Sequence, residues 1–234
     1  MTPRLTSAAV ERLHARILDC PPTGTSIATG RVVRAKTAIV SQGVPLSGLI
    51  LLVEGWAARS RTLAGGRRQI LDFCLPGDLC DINIFHRPLA DATVSALTRV
   101  KLIELDAAAC SELAAREPAM RSAMYDLICA TQVRQRERAV TLGKRSAMER
   151  VAHLLCELFG RLRAVNWVYG DTCSLPLTQG EIGDALGLTS IHVNRVLQRL
   201  RADGLIELNY RELALPAIQR LREVALWDES GLAT

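Results

Sequence analysis

The sequence predicts an α+β protein with a β-rich N-terminal part, a long helix and a C-terminal helix-turn-helix unit. Between residues 26 and 105, short runs rich in Val, Ile, Leu and Thr alternate with Gly, Pro or Asp turns. Residues 118–142 then contain no helix breaker after Pro118. Residues 177–206 have the spacing of two helices joined by a tight turn.

The N-terminal part is expected to be a β-sandwich or barrel, because many short strands at regular spacing favour that architecture. Residues 6–18 precede it with the pattern of a short amphipathic helix, which Pro21-Pro22 ends. Turns are expected at Glu54-Gly55, Ala64-Gly65-Gly66 and Pro76-Gly77-Asp78. The candidate strands are residues 31–33, 38–40, 48–53, 57–63, 69–74 and 100–105.

The long helix is expected to begin at Pro118, since proline suits the first helical position. Its second half is rich in arginine, and its first half carries an apolar seam. Two interpretations of the seam remain open: contact with a second copy of the chain, or burial in the chain's own core. The seam residues are Met120, Met124, Leu127, Ile128 and Thr131.

A hinge is expected at Gly143-Lys144-Arg145, after the long helix. Ser146 and Glu149 then form a capping box that opens a further helix to about Leu162. Residues 164–171 are expected to be a loop. The helix is expected to turn inward Val151, Leu154, Leu155, Leu158 and Phe159.

The helix-turn-helix unit organises the C-terminal part. Thr178 and Glu181 form a capping box that opens its first helix, and Gly187 ends that helix. Thr189 caps the second helix. The second helix is expected to bury Val193, Val196, Leu197 and Leu200. Its other face, polar apart from one isoleucine, consists of Ser190, Ile191, His192, Asn194, Arg195, Gln198 and Arg199.

A short helix with such a hydrogen-bonding face, behind a Gly-containing turn, is what reading of the DNA major groove requires. The alternative is an ordinary helical hairpin with a solvated face. The flanks favour DNA reading, because residues 172–175, 205–208 and 212–215 can form the strands of a winged helix. A last helix is expected over residues 217–226, and residues 227–234 are expected to be loosely ordered.

The helix-turn-helix unit resembles the DNA-binding domain of the Crp/Fnr superfamily of bacterial transcription regulators. The matching residues are Thr178, Glu181-Ile182-Gly183, Gly187, Val193, Arg195, Leu197 and Gly204-Leu205-Ile206. The β-rich part is similar to the jelly-roll, cyclic-nucleotide-binding-like sensor domain of the same superfamily. Its matching residues are Gly48, Val53-Glu54-Gly55, Gly66-Arg67-Arg68-Gln69, Pro76-Gly77-Asp78 and Leu102-Ile103-Glu104-Leu105.

The resemblance implies three parts. They are a jelly-roll sensor domain at residues 1–115, a dimerisation helix and hinge at residues 116–143, and a winged helix-turn-helix domain at residues 144–234. We favour the dimer contact for the long helix, because a two-fold protein matches a palindromic DNA site.

The sensor domain departs from the family's nucleotide-binding pattern. In cyclic-nucleotide-binding members, a Gly-Glu pair holds the ribose and an Arg-Ser pair binds the cyclic phosphate. These positions fall on Asp81-Ile82 and Ala92-Thr93, so a bidentate charge-assisted contact is lost and Asp81 and Asp91 add repulsion. The two family positions that touch the base fall on Gln135 and Arg136. We therefore expect no cyclic AMP binding of the usual kind.

Other effectors remain open. The seven cysteines are odd in number and include no CxxC pair, which indicates free thiols in a reducing cytoplasm. Only Cys20 lies near the N-terminus, where oxygen-sensing relatives hold an iron–sulfur cluster, so we expect no metal and no other cofactor. The alternative is a redox- or haem-based sensor that uses Cys80 and His86, which are expected on the loop after Pro76-Gly77-Asp78, or another thiol.

A cupin-type metal enzyme is the competing class of protein. The four histidines, His14, His86, His153 and His192, are dispersed, and the sequence has no HxH pair, nucleophile elbow or P-loop. We therefore expect no enzyme activity. The sequence also has no signal peptide and no stretch long enough to span a membrane, so a cytoplasmic protein without a membrane partner is expected.

These observations predict a sequence-specific transcription regulator that binds a palindromic site in double-stranded DNA as a homodimer. RNA polymerase and an unknown small-molecule or redox effector are the other expected partners. The net charge of +5 does not itself argue for DNA, because residues 143–234 contain eleven Lys and Arg against eleven Asp and Glu.

The DNA-contacting residues are predicted from the second helix and the residues around it. Arg195 is the strongest candidate for a base contact, since arginine suits a guanine edge. His192 and Asn194 can read bases or bind phosphate. Ser190 and Ile191 replace residues that read sequence in relatives, and Ile191 can meet a thymine methyl group. The phosphate candidates are Gln179, Thr189 and Arg199.

Overall fold

Eight N-terminal strands form two antiparallel sheets that face each other. The computed structural model describes residues 29–81, 89–116 and 118–228. The strand orders are β1-β8-β3-β6 in one sheet and β2-β7-β4-β5 in the other. Strands adjacent in sequence alternate between the sheets, except that β4 and β5 form a hairpin within one sheet, as in a jelly roll. The bounds are β1 Thr29–Val33, β2 Ala38–Val40, β3 Gly48–Glu54, β4 Ala57–Thr62, β5 Arg68–Cys74, β6 Leu79–Asp81, β7 Thr93–Ala96 and β8 Val100–Asp106.

The described part of the chain continues with helices and one small sheet. The helices are α1 Ala107–Arg116, α2 Pro118–Lys144, α3 Ala147–Ala164, α4 Gln179–Leu186, α5 Ser190–Ala202 and α6 Ile218–Val224. The strands are β9 Val168–Tyr169, β10 Thr172–Ser174, β11 Glu207–Asn209 and β12 Glu212–Ala214, in the order β11-β12-β10-β9. Helices α4 and α5 beside the β11–β12 hairpin make the C-terminal unit a winged helix-turn-helix. The predicted α+β fold class is confirmed.

Several predictions of local structure were wrong. Cys80 was placed on a loop, but it lies in β6, where Leu79 and Asp81 pair with Leu51 and Ile50 of β3. A three-residue strand is too short to show an alternating pattern, so only its partner defines it. The loop expected at residues 164–171 contains β9, and β7 and α1 were not predicted.

The C-terminal tail is more ordered at its start than the sequence suggested. The indole ring of Trp227 lies 4.9 Å from the His153 ring, centroid to centroid. Its backbone N–H donates to the Arg222 carbonyl at 3.0 Å. Trp227 therefore packs on α3, because a large aromatic ring gains from burial even next to a chain end.

One side of α2 packs against the sensor domain, and the opposite side is exposed. Met124 is buried among Leu49, Leu51 and Leu105 of the sensor sheet, and Leu127 packs against the same cluster. Met124 and Leu127 of the predicted seam therefore pack in the chain's own core, so the favoured dimer contact is wrong for these two residues. Burial of one such side chain contributes about 1.5–3 kcal/mol. The opposite face is exposed and carries Tyr125, Cys129, Gln132, Arg136 and Val140.

Arg145 fixes the position of the connection that was expected to be a hinge. Helix α2 runs through Gly143 to Lys144, and α3 begins three residues later. The buried Arg145 guanidinium pairs with Glu137 at 2.7 Å and donates to the Ala225 carbonyl at 3.1 Å. These contacts join α2 to the end of α6, so the short connection is held on both sides.

Several of the sequence predictions concern residues that the structure does not describe. They include the helix at residues 6–18, Cys20 near the N-terminus, Ile82, His86 as the partner of Cys80, and residues 229–234 of the tail. No helix in the described ranges has both the length and the apolar character needed to cross a membrane.

Candidate nucleic-acid interface

The first helix of the candidate interface is fixed by local hydrogen bonds at both ends. The Thr178 hydroxyl accepts from the Glu181 N–H at 3.2 Å, and the Glu181 carboxylate accepts from the Thr178 N–H at 2.7 Å. At the other end Gly187 adopts φ 66° and its N–H donates to the Gly183 carbonyl. Both the predicted capping box and the predicted glycine stop are confirmed.

A close backbone approach sets the angle of the turn. A Cβ atom added to Gly183 would lie 2.5 Å from the Leu188 carbonyl oxygen. The Leu188 N–H also donates to the Gly183 carbonyl at 3.0 Å. Glycine is needed at this point of α4, because any side chain would push the turn away.

Helix α5 presents the face that the sequence predicted. Thr189 caps it by accepting from the His192 N–H at 3.2 Å. Val193, Leu197 and Leu200 are buried in the core of the winged helix. Asn194 is half-buried, and the exposed residues are Ser190, Ile191, His192, Arg195, Gln198 and Arg199.

Two hydrogen bonds organise this face, and the first of them, which joins two different helices, was not predicted from the sequence. The Gln179 side-chain amide, at the start of α4, donates to Asn194 Oδ1 at 3.1 Å. Arg199 Nε donates to Asp203 at 2.9 Å, one turn further along α5. Asn194 is therefore held from the side by the first helix, and Arg199 shares its charge with a carboxylate.

The wing adds an exposed aromatic surface. Tyr210 lies in the β11–β12 turn with φ 57° and is 95% exposed. The Arg211 guanidinium lies 5.6 Å from its ring centroid. A turn between the expected strands 205–208 and 212–215 follows from the sequence, and a turn between two short strands beside a helix-turn-helix is where a wing tip lies. A role for its side chains was not predicted.

The β4–β5 hairpin of the sensor domain contacts α4 from behind. Arg68 pairs with Asp184 at 2.7 Å, and the Gln69 amide donates to the Ala185 carbonyl at 3.1 Å. These contacts cover the side of α4 that faces the sensor domain, and the outward face of α5 remains exposed to solvent.

Comparison with known proteins matches both parts of the chain to one family. Residues 149–224 match the Crp-like helix-turn-helix domain, and residues 30–117 match the cyclic nucleotide-binding domain. The nitrogen fixation regulation protein FixK of Azorhizobium caulinodans is 30% identical over 182 residues, which cover 78% of this chain and 68% of that protein. The chain belongs to the Crp/Fnr family of transcription regulators.

Two further comparisons agree with this membership. The transcriptional activatory protein AadR of Rhodopseudomonas palustris is 31% identical over 73% of this chain and 70% of its own length. The solved structure of FixK2 from Bradyrhizobium japonicum matches with a TM-score of 0.76 and 26% identity, over 85% of this chain and 97% of that one.

A half-buried cation of the chain itself lies in the jelly roll. Arg59 of β4 donates to the Cys80 carbonyl at 2.7 Å and to the Leu79 carbonyl at 3.3 Å. It thereby bridges the two sheets. Burial alone would lower the pKa of Arg59, but Cys74, Asp72 and the buried Asp81 raise it above the ordinary value.

The positions that hold the cyclic phosphate in relatives are occupied differently. Ala92 is buried, and the Thr93 hydroxyl accepts from the Gln42 N–H at 3.1 Å. On α2, Gln135 donates to the Leu71 carbonyl at 3.4 Å and Arg136 is exposed. These residues therefore make contacts within the chain or with solvent.

A charged cluster joins the sensor domain to the winged helix. Arg161 of α3 donates to the Phe73 carbonyl at 2.9 Å and pairs with Asp78. Asp72 lies 3.5 Å from both Arg161 and Arg134 of α2. Burial would raise the pKa of Asp72, but these guanidinium groups hold it below its usual range.

The described thiols are buried, with one exception. Burial raises the pKa of Cys110, Cys156 and Cys173 to about 12. A hydrogen bond with Cys74, followed by burial, raises the pKa of Cys80 well above its ordinary value. These side chains are neutral thiols at pH 7, and Cys129 on α2 is exposed. Within the described ranges, no group of three or more His, Cys, Asp or Glu is placed to hold a metal ion.

Proposed function

We propose that this protein is a sequence-specific DNA-binding transcription regulator that acts as a homodimer on a palindromic site. The outward face of α5 carries this proposal, because it combines hydrogen-bond donors and one apolar side chain on a rigid helix. Transcriptional activators such as FnrA of Stutzerimonas stutzeri, 26% identical over 80% of this chain and 76% of that protein, support the assignment. RNA polymerase is the second partner that such a regulator requires.

The residues of the interface have distinct roles in this proposal. Arg195 contacts a guanine edge, and Ile191, which is 64% exposed, contacts a thymine methyl group. Ser190 and His192 lie on the same face, within reach of base edges or phosphate. Phosphate contacts come from Gln179, Thr189 and Arg199, and the contact of Arg199 is weakened because Asp203 shares its charge.

Salt-dependent binding distinguishes this function from a protein scaffold without DNA affinity. Fluorescence anisotropy with duplex DNA should show that the logarithm of the binding constant falls linearly with the logarithm of salt concentration, because the protein's basic side chains displace counterions from the phosphates. The affinity of the variant Arg195→Ala for the same duplex is measured as a comparison, and this affinity should be lower than that of the wild type. Absence of DNA binding at low salt, with or without candidate effectors, would contradict the proposed function.

The dimer forms through the exposed face of α2. Tyr125, Cys129, Gln132, Arg136 and Val140 follow each other at spacings of three or four residues, so they lie on one side of the helix. Tyr125 and Val140 are 61% and 49% exposed, which leaves apolar area for a second copy. Parallel pairing of two such helices places the two winged helices on the same side of the dimer.

Cys129 provides a native reporter of this dimer. It lies within the stripe, so mild oxidation or a short bismaleimide should link two chains in high yield, and Cys129→Ser should abolish the link. Light scattering should give a dimer for both forms. A monomer at tens of micromolar would contradict the homodimer while leaving DNA binding open.

The sensor domain does not bind cyclic AMP in the family's usual way. The carboxylates of Asp72 and Asp81 raise the pKa of Arg59, so these charges already act on a cation of the chain itself. Ala92 offers no cation to a phosphate, and Gln135 is bonded to the backbone. Titration calorimetry with cyclic AMP should give no heat of tight binding, and micromolar or tighter affinity would refute this part of the proposal.

A further inference from the structure

The contact between Gln179 and Asn194 bears on which base the protein reads. Gln179 is the first residue of α4, and its amide donates to Asn194 Oδ1 at 3.1 Å. Asn194 lies on α5 between Ile191, one turn earlier, and Gln198, one turn later. Because α4 and α5 are fixed by their caps and by the Gly183 approach, the two amides are held in one relative position.

After its bond with Gln179, the Asn194 side chain still has both hydrogen-bond donors and an acceptor. An asparagine amide has two N–H donors and an oxygen with two lone pairs. The bond from Gln179 uses one lone pair, so a lone pair and the N–H donors remain. The opposite orientation of the two amides would use one N–H and leave the same kinds of group. In either case Asn194 can both donate and accept at its outer edge.

Only adenine presents a matching edge in the major groove. Its N7 accepts and its N6 amino group donates side by side, whereas guanine offers only acceptors and cytosine only a donor. Thymine offers one acceptor beside a methyl group. A carbonyl oxygen of Asn194 facing guanine O6 would oppose another acceptor, so guanine is disfavoured at this position.

We infer that Gln179 and Asn194 act together as an adenine reader, with Asn194 in contact with the base and Gln179 as the positioning residue. This inference rests on the proposed DNA-binding function. Gln179 limits rotation of the Asn194 amide before DNA arrives, so less ordering is needed on binding. The second N–H of Gln179 remains available for a phosphate oxygen, which agrees with its expected backbone contact.

The test uses the full-length protein and the operator recovered by selection from random duplex DNA. Affinities are measured by anisotropy for the four base pairs at each position of the half-site. Wild-type protein should prefer adenine at one position by about five- to a hundredfold, the range of one bidentate contact. Asn194→Ala should abolish this preference at that position and leave the others unchanged.

Gln179→Met separates positioning from general binding, because methionine keeps the length and removes the hydrogen bond. It should lower the adenine preference several-fold at the same position. Gln198→Ala, a change at an exposed amide one turn away, should leave that preference intact. Melting temperatures should stay within about a degree or two of wild type, since none of these three side chains is fully buried.

The outcomes distinguish the inference from the proposed function. An operator without an adenine preference that depends on Asn194 would overturn the adenine reader and leave DNA recognition standing. Equal weakening for all four bases in Gln179→Met would limit Gln179 to a phosphate contact and overturn its positioning role. Failure to recover any operator would overturn the DNA-binding function and the reader with it.

Discussion

Two arginines of α5 differ in what surrounds them. Arg199 is paired with Asp203 at 2.9 Å, and the two side chains are 68% and 37% exposed. Arg195 has no ion pair among the described residues and lies in the middle of the outward face. Its guanidinium is therefore free to form a bidentate contact, whereas Arg199 must first give up or share its carboxylate partner.

Arg195→Ala should weaken binding to the selected operator by roughly 1–3 kcal/mol and relax specificity at one base pair. Arg199→Ala should cost less and should affect all sequences similarly, because a phosphate contact carries no sequence information. Competition binding with single-base operator variants measures both effects. Uniform weakening by Arg195→Ala would count against its base contact.

His153 makes stability depend on pH. Burial, followed by the charge of Arg145, lowers the pKa of His153 to about 4 despite its contact with Glu137. The unfolded chain therefore binds an additional proton between pH 4 and about 6.5, and stability falls as pH decreases through this window. This group alone contributes a slope of up to about 1.4 kcal/mol per pH unit.

Urea denaturation between pH 4 and 7 tests this dependence. His153→Gln retains an amide that can donate to Glu137 and does not titrate, so its free energy of unfolding should vary less with pH. Parallel curves for wild type and His153→Gln would exclude His153 as the source.

At the scale of elements, the helix-turn-helix depends on one glycine and tolerates change at another. Gly183→Ala places a methyl group 2.5 Å from the Leu188 carbonyl, so the turn must shift at a cost of about 1–3 kcal/mol. Gly180→Ala, in the same helix, meets only the Thr178 hydroxyl at 3.8 Å. It should stabilise α4 by up to about 1 kcal/mol through helix propensity.

The two variants are compared by their melting temperatures and their affinities for the operator. Gly183→Ala should lower both the melting temperature and the affinity, because the turn sets the angle of α5 against the DNA. Gly180→Ala should retain wild-type affinity with equal or higher stability. If the two alanine variants behaved alike, the close approach at Gly183 would not control the turn.

Elements defined by neighbouring residues were predictable, and elements defined by distant partners were not. The capping boxes at Ser146 and Thr178 join residues three apart, and Gly187 acts on its own helix. Cys80 was misplaced because β6 exists only through pairing with β3, about thirty residues earlier. The Gln179–Asn194 contact could not be predicted either, because its partners lie on different helices.

At the scale of the whole molecule, a buried charge cluster fixes the winged helix to the sensor domain. Arg161 and its partner Asp78 are 83 residues apart in sequence, and no local pattern marks the pair. Burial would lower the pKa of Arg161, but Asp78, Asp72 and Glu157 raise it above its ordinary value. The domains are therefore coupled by charges that the sequence alone does not bring together.

Arg161→Met should destabilise the protein by about 3–5 kcal/mol, because the buried Asp72 and the half-buried Asp78 would keep their charges with fewer partners. Arg163→Met, a change at an exposed position on the same helix, should have little effect. Denaturant unfolding measures the difference. Equal stability of the two variants would show that the cluster does not hold the domains together.

Selection from random duplex DNA with purified, reduced wild-type protein and no added ligand tests the central claim most directly. Dimeric reading by two α5 helices predicts enrichment of an inverted repeat whose half-sites lie about one helical turn apart. Each half-site should contain a guanine for Arg195 and an adenine for Asn194. Enrichment of a single unrepeated site, or of no sequence even when oxidant and small-molecule extracts are supplied, would contradict the account.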